Sequence, residues 1–329
     1  MAKIITCQVQ VLDGSNINID VNTKATGEIL LEEVYKHLGL EETDYFGLQF
    51  IDKKQNVHWL DPYKVIKKQV GKGSYSFRFR VKLYPISPIY LFEEGTRYFL
   101  ALQIKEDLVN EKLYCSEDTK AMLTSYVVQG EFGDYDPAEH GTDYLDDFPL
   151  LENRDPEFKT KVTELHIQHR RALPAECDKK FLAIACKLDR YGMDFHLIAD
   201  VSNVDLVRGG VVSRVRIAAV NFKGKQLLLE MMPPPNQPFT ETIVMNCRTK
   251  VACKTLWKSC VEHHSFFRSV KTDITRRPSA VSLLRRGSTF RYSGRTQYKL
   301  LQEGTSMRKR KSKRFERLSS RNKITRKTL

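Results

Sequence analysis

The period of the apolar residues changes twice along this chain, and those changes divide it before any motif is considered. Residues 4–12 (Ile4-Ile5-Thr6-Cys7-Gln8-Val9-Gln10-Val11-Leu12) have strand character and residues 17–21 alternate with period two. The turn cluster Asp13-Gly14-Ser15-Asn16 between them makes the pair a hairpin. From Gly27 the spacing becomes helical, with Leu30, Val34 and Leu38 four apart and Gly39 as the stop. Short strands are predicted over 46–50, 57–60 and 76–83. The order ββαββ…β over residues 1–84 is that of a ubiquitin-like roll.

Beyond Pro85 and Pro88 the pattern turns helical over 98–113, 116–131, 157–170 and 175–191, which predicts a helical lobe over 95–191. Ser116 suits an N-cap, Pro174 a first helical turn and Gly192 a C-terminal stop. The loop between the second and third of these helices, residues 131–157, holds ten Asp/Glu and one Arg, and is read as solvated. Strand texture returns at 195–198, 211–212, 215–217, 226–231 and 242–245. A helix over 249–267 follows, with Cys253, Leu256, Trp257, Cys260, Val261, His264 and Phe267 as its apolar stripe. A small sheet closed by such a helix outlines a pleckstrin- or PTB-like lobe over 192–270. The fold class is therefore α+β in three lobes.

Charge sets off the remainder. Residues 268–329 carry 20 Lys/Arg against 3 Asp/Glu, whereas residues 1–267 carry 34 against 37, so the body is nearly neutral and the tail is +17. Rich in Ser, Thr, Arg and Lys and without periodicity, residues 271–329 are predicted to be a disordered basic tail.

Several function classes fall away. No stretch approaches the ~20 apolar residues of a membrane span, and the N-terminus has no apolar signal core. Seven scattered cysteines fit reduced thiols of a cytoplasmic protein. No catalytic motif occurs: GxSxG, HExxH, GxGxxG and GxxxxGK[ST] are absent, as is the His-Cys-x5-Arg signature of a tyrosine phosphatase. His263 and His264 are adjacent, so on a helix they face directions about 100° apart. His166 and His169 share a face but lack a third ligand in sequence, and the acidic loop lacks the ligand alternation of an EF-hand. No catalytic residue, metal or cofactor is expected.

Specific strings add a family to this outline. They are Asp44-Tyr45-Phe46-Gly47-Leu48-Gln49-Phe50, Trp59-Leu60-Asp61, Thr96-Arg97-Tyr98-Phe99-Leu100, Gly133-Asp134-Tyr135-Asp136, Leu188-Asp189-Arg190-Tyr191-Gly192 and the run from Ala252 to Arg268. In that order they resemble a FERM domain of the band 4.1 superfamily, and Arg286 to Thr296 resembles the FERM-adjacent segment that follows such domains. The resemblance implies a ubiquitin-like roll, an acyl-CoA-binding-protein-like helical bundle and a PH/PTB-like lobe. The Pro174–Asp178 and Leu182–Leu188 strings resemble FERM-containing Rho exchange factors, their FERM-only relatives and FERM tyrosine phosphatases. No such catalytic domain fits in the 62 residues after Phe267. Against the family spacing, about fifteen residues are missing between Arg208 and Val220, which would leave the third lobe short of one or two strands and ladder groups unpaired.

The resemblance implies a non-catalytic membrane–cytoskeleton adaptor; the alternative is the N-terminal targeting part, or a short isoform, of a FERM exchange factor or phosphatase. Residues 53–82 hold nine Lys/Arg and one acid, Asp61. Related domains place lysines at Lys64, Lys67 and Lys68 for phosphoinositide headgroups, and the four-apart stripe Lys250, Lys254 and Lys258 is a second candidate wall, since flexible ammonium groups suit clustered phosphates. Cytoplasmic tails of transmembrane proteins are expected beside Ile243, Val244 and Met245 by strand addition, with Leu256 and Trp257 on the adjoining helix; the alternative for Trp257 is plain core. Arg308 to Arg314 sets six cations in seven residues, enough to hold an acidic inner leaflet at about 1 kcal/mol each. The same run also reads as a nuclear-import signal, but without interleaved aromatics no nucleic acid is expected. Ser279 and Ser288 each follow an Arg pair by two residues, as a basophilic kinase prefers. Expected partners are thus acidic lipids, receptor tails, cytoskeletal proteins and such a kinase, at the inner face of the plasma membrane, the cytoskeleton or cell junctions.

Overall fold

The alternation at the N-terminus does form a hairpin: β1 (Ile4–Gln10) pairs antiparallel with β2 (Asn16–Asn22), from Ile4↔Asn22 to Gln10↔Asn16. The structure is a computed structural model and describes residues 3–71, 73–141, 144–146, 148–151, 154–193, 200–202, 217–231, 242–268, 290, 292, 294–307, 315 and 317. Helix α1 (Gly27–Leu38) buries Leu30, Val34 and Leu38, and Gly39 ends it at φ +65°. Strands β3 (Phe46–Ile51), β4 (Val57–Trp59) and β5 (Tyr75–Val81), with the short α2 (Ile66–Val70), complete the roll. Its sheet runs β2-β1-β5-β3-β4, with β1 and β5 parallel. Alternate residues Cys7, Val9, Phe77 and Phe79 face the core, at 0–2% exposure.

Four helices follow: α3 (Glu94–Val109), α4 (Glu117–Phe132), α5 (Pro156–Gln168) and α6 (Pro174–Ala185). Ser116 Oγ accepts the Thr119 N–H and Asp155 accepts the Phe158 N–H, so α4 and α5 begin on side-chain caps. The roll and the bundle share an aromatic junction, with Phe99 of α3 edge-on to Phe79 at 5.5 Å and Phe46 stacked on Phe79 at 5.0 Å. The acidic loop is not simply solvated, because it tucks Leu145, Phe148, Leu150 and Leu151 into the core. These residues and the roll form one compact unit, residues 1–193 with 307–329.

The second unit, residues 194–306, holds β6 (Asp200–Ser202), β7 (Ile217–Lys223), β8 (Gln226–Met231) and β9 (Thr242–Asn246) in the order β6-β9-β8-β7. Helix α7 (Lys250–Arg268) closes the sheet, and Leu227, Leu229, Met231, Ile243, Cys247, Cys253 and Trp257 form the core. The strands expected at 195–198 and 211–212, and most of the segment judged short by comparison with the family, lie outside the described residues.

The reading of residues 271–329 as uniformly disordered is corrected in part. Gln297–Met307 forms α8, with Leu300 and Thr296 buried, and Phe290, Tyr292, Phe315 and Arg317 pack on folded elements. The helix itself carries one Lys and no Arg, so the composition of the tail as a whole hid it.

Candidate functional site

The candidate lipid lysines of the first unit sit on a braced platform. Gln69 accepts the Asp61 N–H and donates to the carbonyls of Asp61 and Lys64, at 2.8 and 2.9 Å. The Gly27 and Ile66 N–H groups bond Lys64 O and Ala25 O. A Cβ on Gly27 would lie 2.6 Å from Asp61 O, so only glycine lets this segment close on the start of α1. Lys67 and Lys68 are exposed on α2, and among the described residues neither has an ion-pair partner. Lys64 differs, since its Nζ lies 2.7 Å from Asp61 Oδ2. The one acid in this basic stretch therefore offsets one of the three cations.

In the second unit Lys250 and Lys254 are exposed on α7, whereas Lys258 is half-buried with Nζ 4.8 Å from the Phe290 ring centroid. A desolvated ammonium over an aromatic face is worth about 0.5–2 kcal/mol. Lys258 thus holds the adjacent segment to the helix, as the stripe pattern alone did not indicate. Phe290 also meets Trp257 at 6.0 Å.

The peptide-binding expectation meets geometry of two kinds. Val244, Met245 and Asn246 pair with β6 on one side and β8 on the other, so their backbone has no open edge for an added strand. The edges of the described sheet are β6 and β7. Ile243 is buried, and Trp257 is a core residue whose Nε1 donates to Val220 O at 3.1 Å. Leu256, half-buried, packs at the margin of that core. Ser279 and Ser288 lie outside the described residues.

The histidines have structural partners. His166 is fully buried, with Nε2 2.8 Å from Gly133 O and Nδ1 3.1 Å from the Tyr144 hydroxyl. His169 contacts Ser125 Oγ at 2.9 Å and stacks on Tyr126 at 4.1 Å. Burial lowers the pKa of both rings. No cluster of metal-ligating type occurs among the described residues. Burial also raises the Cys7, Cys177, Cys253 and Cys260 thiols to about 11, so these are inert packing groups.

A polar clamp that no sequence motif marks joins the roll and the bundle. The Glu93 carboxylate, at the head of α3, accepts the N–H groups of Glu41 and Glu42 and the Thr96 hydroxyl at 3.0–3.2 Å. The Glu42 carboxylate in return accepts the Glu93 N–H at 2.9 Å. Glu42 is 4% exposed, and burial, with the Glu93 charge beside it, raises its carboxyl to about 7.

Comparison with known proteins agrees with this architecture. Residues 9–72 match the FERM N-terminal domain, 88–196 the FERM central domain, 215–275 the FERM C-terminal PH-like domain and 282–326 the FERM-adjacent segment. Human band 4.1-like protein 3 is 40% identical over 97% of this chain and 30% of its own length. Human tyrosine-protein phosphatase non-receptor type 4 is 38% identical over 91% of this chain and 34% of its own. The chain thus spans about a third of these relatives. The crystal structure of the FERM and C-terminal domain complex of Drosophila Merlin superposes with a TM-score of 0.67, at 21% identity, over 79% of this chain and 95% of that one.

Proposed function

The chain belongs to the FERM-domain proteins of the band 4.1 superfamily, and on that premise we propose that it is a non-catalytic membrane–cytoskeleton adaptor. The observation carrying this reading is the ordered match to all three FERM lobes and the adjacent segment across residues 9–326. Lys67 and Lys68 bind acidic phosphoinositides, supported by their exposure on a braced helix end, with Lys64 tempered by Asp61. Lys250 and Lys254 add a second cationic face, beside Lys258, whose Nζ lies over Phe290. The third lobe receives cytoplasmic tails of transmembrane proteins. Since β9 is paired on both sides at Val244–Asn246, the receiving surface there is half-buried side chains, with Leu256 beside them, rather than a β9 edge. Phosphorylation of Ser279 and Ser288 by a basophilic kinase weakens membrane attachment. Each phosphate adds about −1.5 to −2 charges, so two offset about four of the tail's positive charges.

The test is the location of the tagged full chain in cells. Enrichment at the cell cortex that K67Q/K68Q reduces is expected. Uniform cytoplasmic distribution, or nuclear accumulation that depends on Arg308–Arg314, contradicts the reading. A second reading, the targeting part of a longer FERM enzyme, draws support from the phosphatase relative. Transcripts that continue past Leu329 into a catalytic domain would select it.

A further inference from the structure

Two residues of the basic tail, Phe315 and Arg317, lie against the folded first unit in a way that uses a shaped site. The Phe315 ring packs on Tyr98 and Phe99 of α3, with centroids 5.5 and 6.0 Å apart. Its floor is Gly95: a Cβ there would come 2.9 Å from Phe315 Cδ2 and Cε2, and 3.3 Å from Leu40 Cδ2. Absence of a side chain at that point is what admits the ring.

Arg317 completes the contact with charge. Its Nε and Nη2 donate to Glu94 Oε1 at 3.2 and 3.1 Å, and Nη2 donates to Asp178 Oδ2 at 2.8 Å. The guanidinium carbon also lies 5.3 Å from the Tyr98 ring centroid. One arginine thus ties the first turn of α3 to α6 while stacking on an aromatic face, a combination suited to its planar fork and not to lysine. Asp178 has 17% side-chain exposure and Glu94 34%, so these carboxylates are partly withdrawn from water where the arginine meets them. Burial raises the Asp178 carboxyl to about 6, and Arg317 acts against that rise.

Phe315 and Arg317 are two positions apart in the sequence, so one short stretch delivers both groups. We infer that Leu40, Glu94, Gly95, Tyr98, Phe99 and Asp178 form a peptide-recognition site that reads an aromatic residue followed two positions later by arginine, and that its occupant is this chain's own Phe315–Arg317. None of these residues belongs to the lipid and receptor surfaces proposed above, and the inference does not rest on them. Arg314, the last cation of the 308–314 run, directly precedes Phe315. Docking therefore fixes one end of the tail's densest charge to the folded unit, and release frees it.

A fluorescein-labelled peptide of residues 311–321 tests this by anisotropy against the full chain. The F315A/R317A variant, its own segment disabled, should bind the peptide at least tenfold more tightly than wild type, whose site is filled. Adding G95A should abolish the gain. D178N, which removes a partly buried carboxylate with little change of shape, should weaken peptide binding to F315A/R317A, and a peptide carrying the R317Q change should bind poorly everywhere. Equal peptide binding by wild type and F315A/R317A overturns the inference, as does no binding by either. Sedimentation velocity separates the remaining case: a concentration-dependent dimer that F315A/R317A dissolves would assign the site to a second copy's tail and refute the intramolecular assignment.

Discussion

The clamp at Glu42 and Glu93 makes this protein's stability depend on pH in a direction opposite to that of an ordinary surface carboxylate. Glu42 titrates near 7 in the folded chain against about 4.5 unfolded, so between those values the folded state holds a proton that the unfolded state has lost. Stability contributed by that proton is present in full below the unfolded value and disappears as pH rises through 7. At about 1.4 kcal/mol per pH unit, ionised Glu42 costs about 3 kcal/mol at pH 8 and under about 1 kcal/mol at pH 5. Replacing Glu42 by Gln keeps an oxygen to accept the Glu93 N–H, presents an amide to the Glu93 carboxylate and removes the ionisation. E42Q should therefore stabilise the first unit by about 3 kcal/mol at pH 8 and change it little at pH 5. Urea unfolding followed by Trp59 fluorescence, in a W257F background so that Trp59 alone reports, measures this at both pH values. Parallel pH profiles for E42Q and its parent, or destabilisation at pH 8, would refute the reasoning.

Other perturbations follow from single contacts. W257F removes the donor to Val220 O and part of the ring that packs on Phe222 and Phe290, and should cost the second unit about 1–3 kcal/mol, read from loss of protection of β7 and β8 amides in hydrogen exchange. Unchanged protection would argue against Trp257 as core. G192A places a Cβ 2.8 Å from Tyr84 Cβ at φ +67°, so about 2 kcal/mol or more of first-unit stability should be lost. An unaltered urea midpoint would contradict the close approach.

The periodicity of single elements was legible, and their partners were not. Leu30, Val34, Leu38 and Gly39 announced α1 within its own twelve residues, and Ser116 and Pro174 marked helix starts that the structure uses. Both are local consequences of backbone geometry. The acidic loop misled because Leu145, Phe148, Leu150 and Leu151 follow no helical or strand period, and burial without a period leaves no trace in a sequence. At the candidate sites the residue types were chosen on charge. Only the fold distinguishes exposed Lys67 from Lys64, which Asp61 engages, and Lys258, which an aromatic ring engages. The β9 backbone could not be known to be paired on both sides, because register between strands far apart in sequence is not written in either strand alone. Phe315 and Arg317 are the extreme case, since their partners on α3 and α6 lie more than a hundred residues away.

Folded lysines, and not tail charge alone, are proposed to bring the protein to phosphoinositide. Full-length protein should be sedimented at physiological salt with vesicles containing phosphatidylinositol bisphosphate, or with phosphatidylserine vesicles of equal charge. K67Q/K68Q removes two cations worth about 1 kcal/mol each near any anionic surface, so it should lower phosphoinositide binding by about thirtyfold or more, and by more than it lowers binding to phosphatidylserine. Neutralising the 308–314 run should weaken both lipids alike. If K67Q/K68Q binds both vesicles as wild type does, the α2 platform is not the lipid site and attachment belongs to the tail.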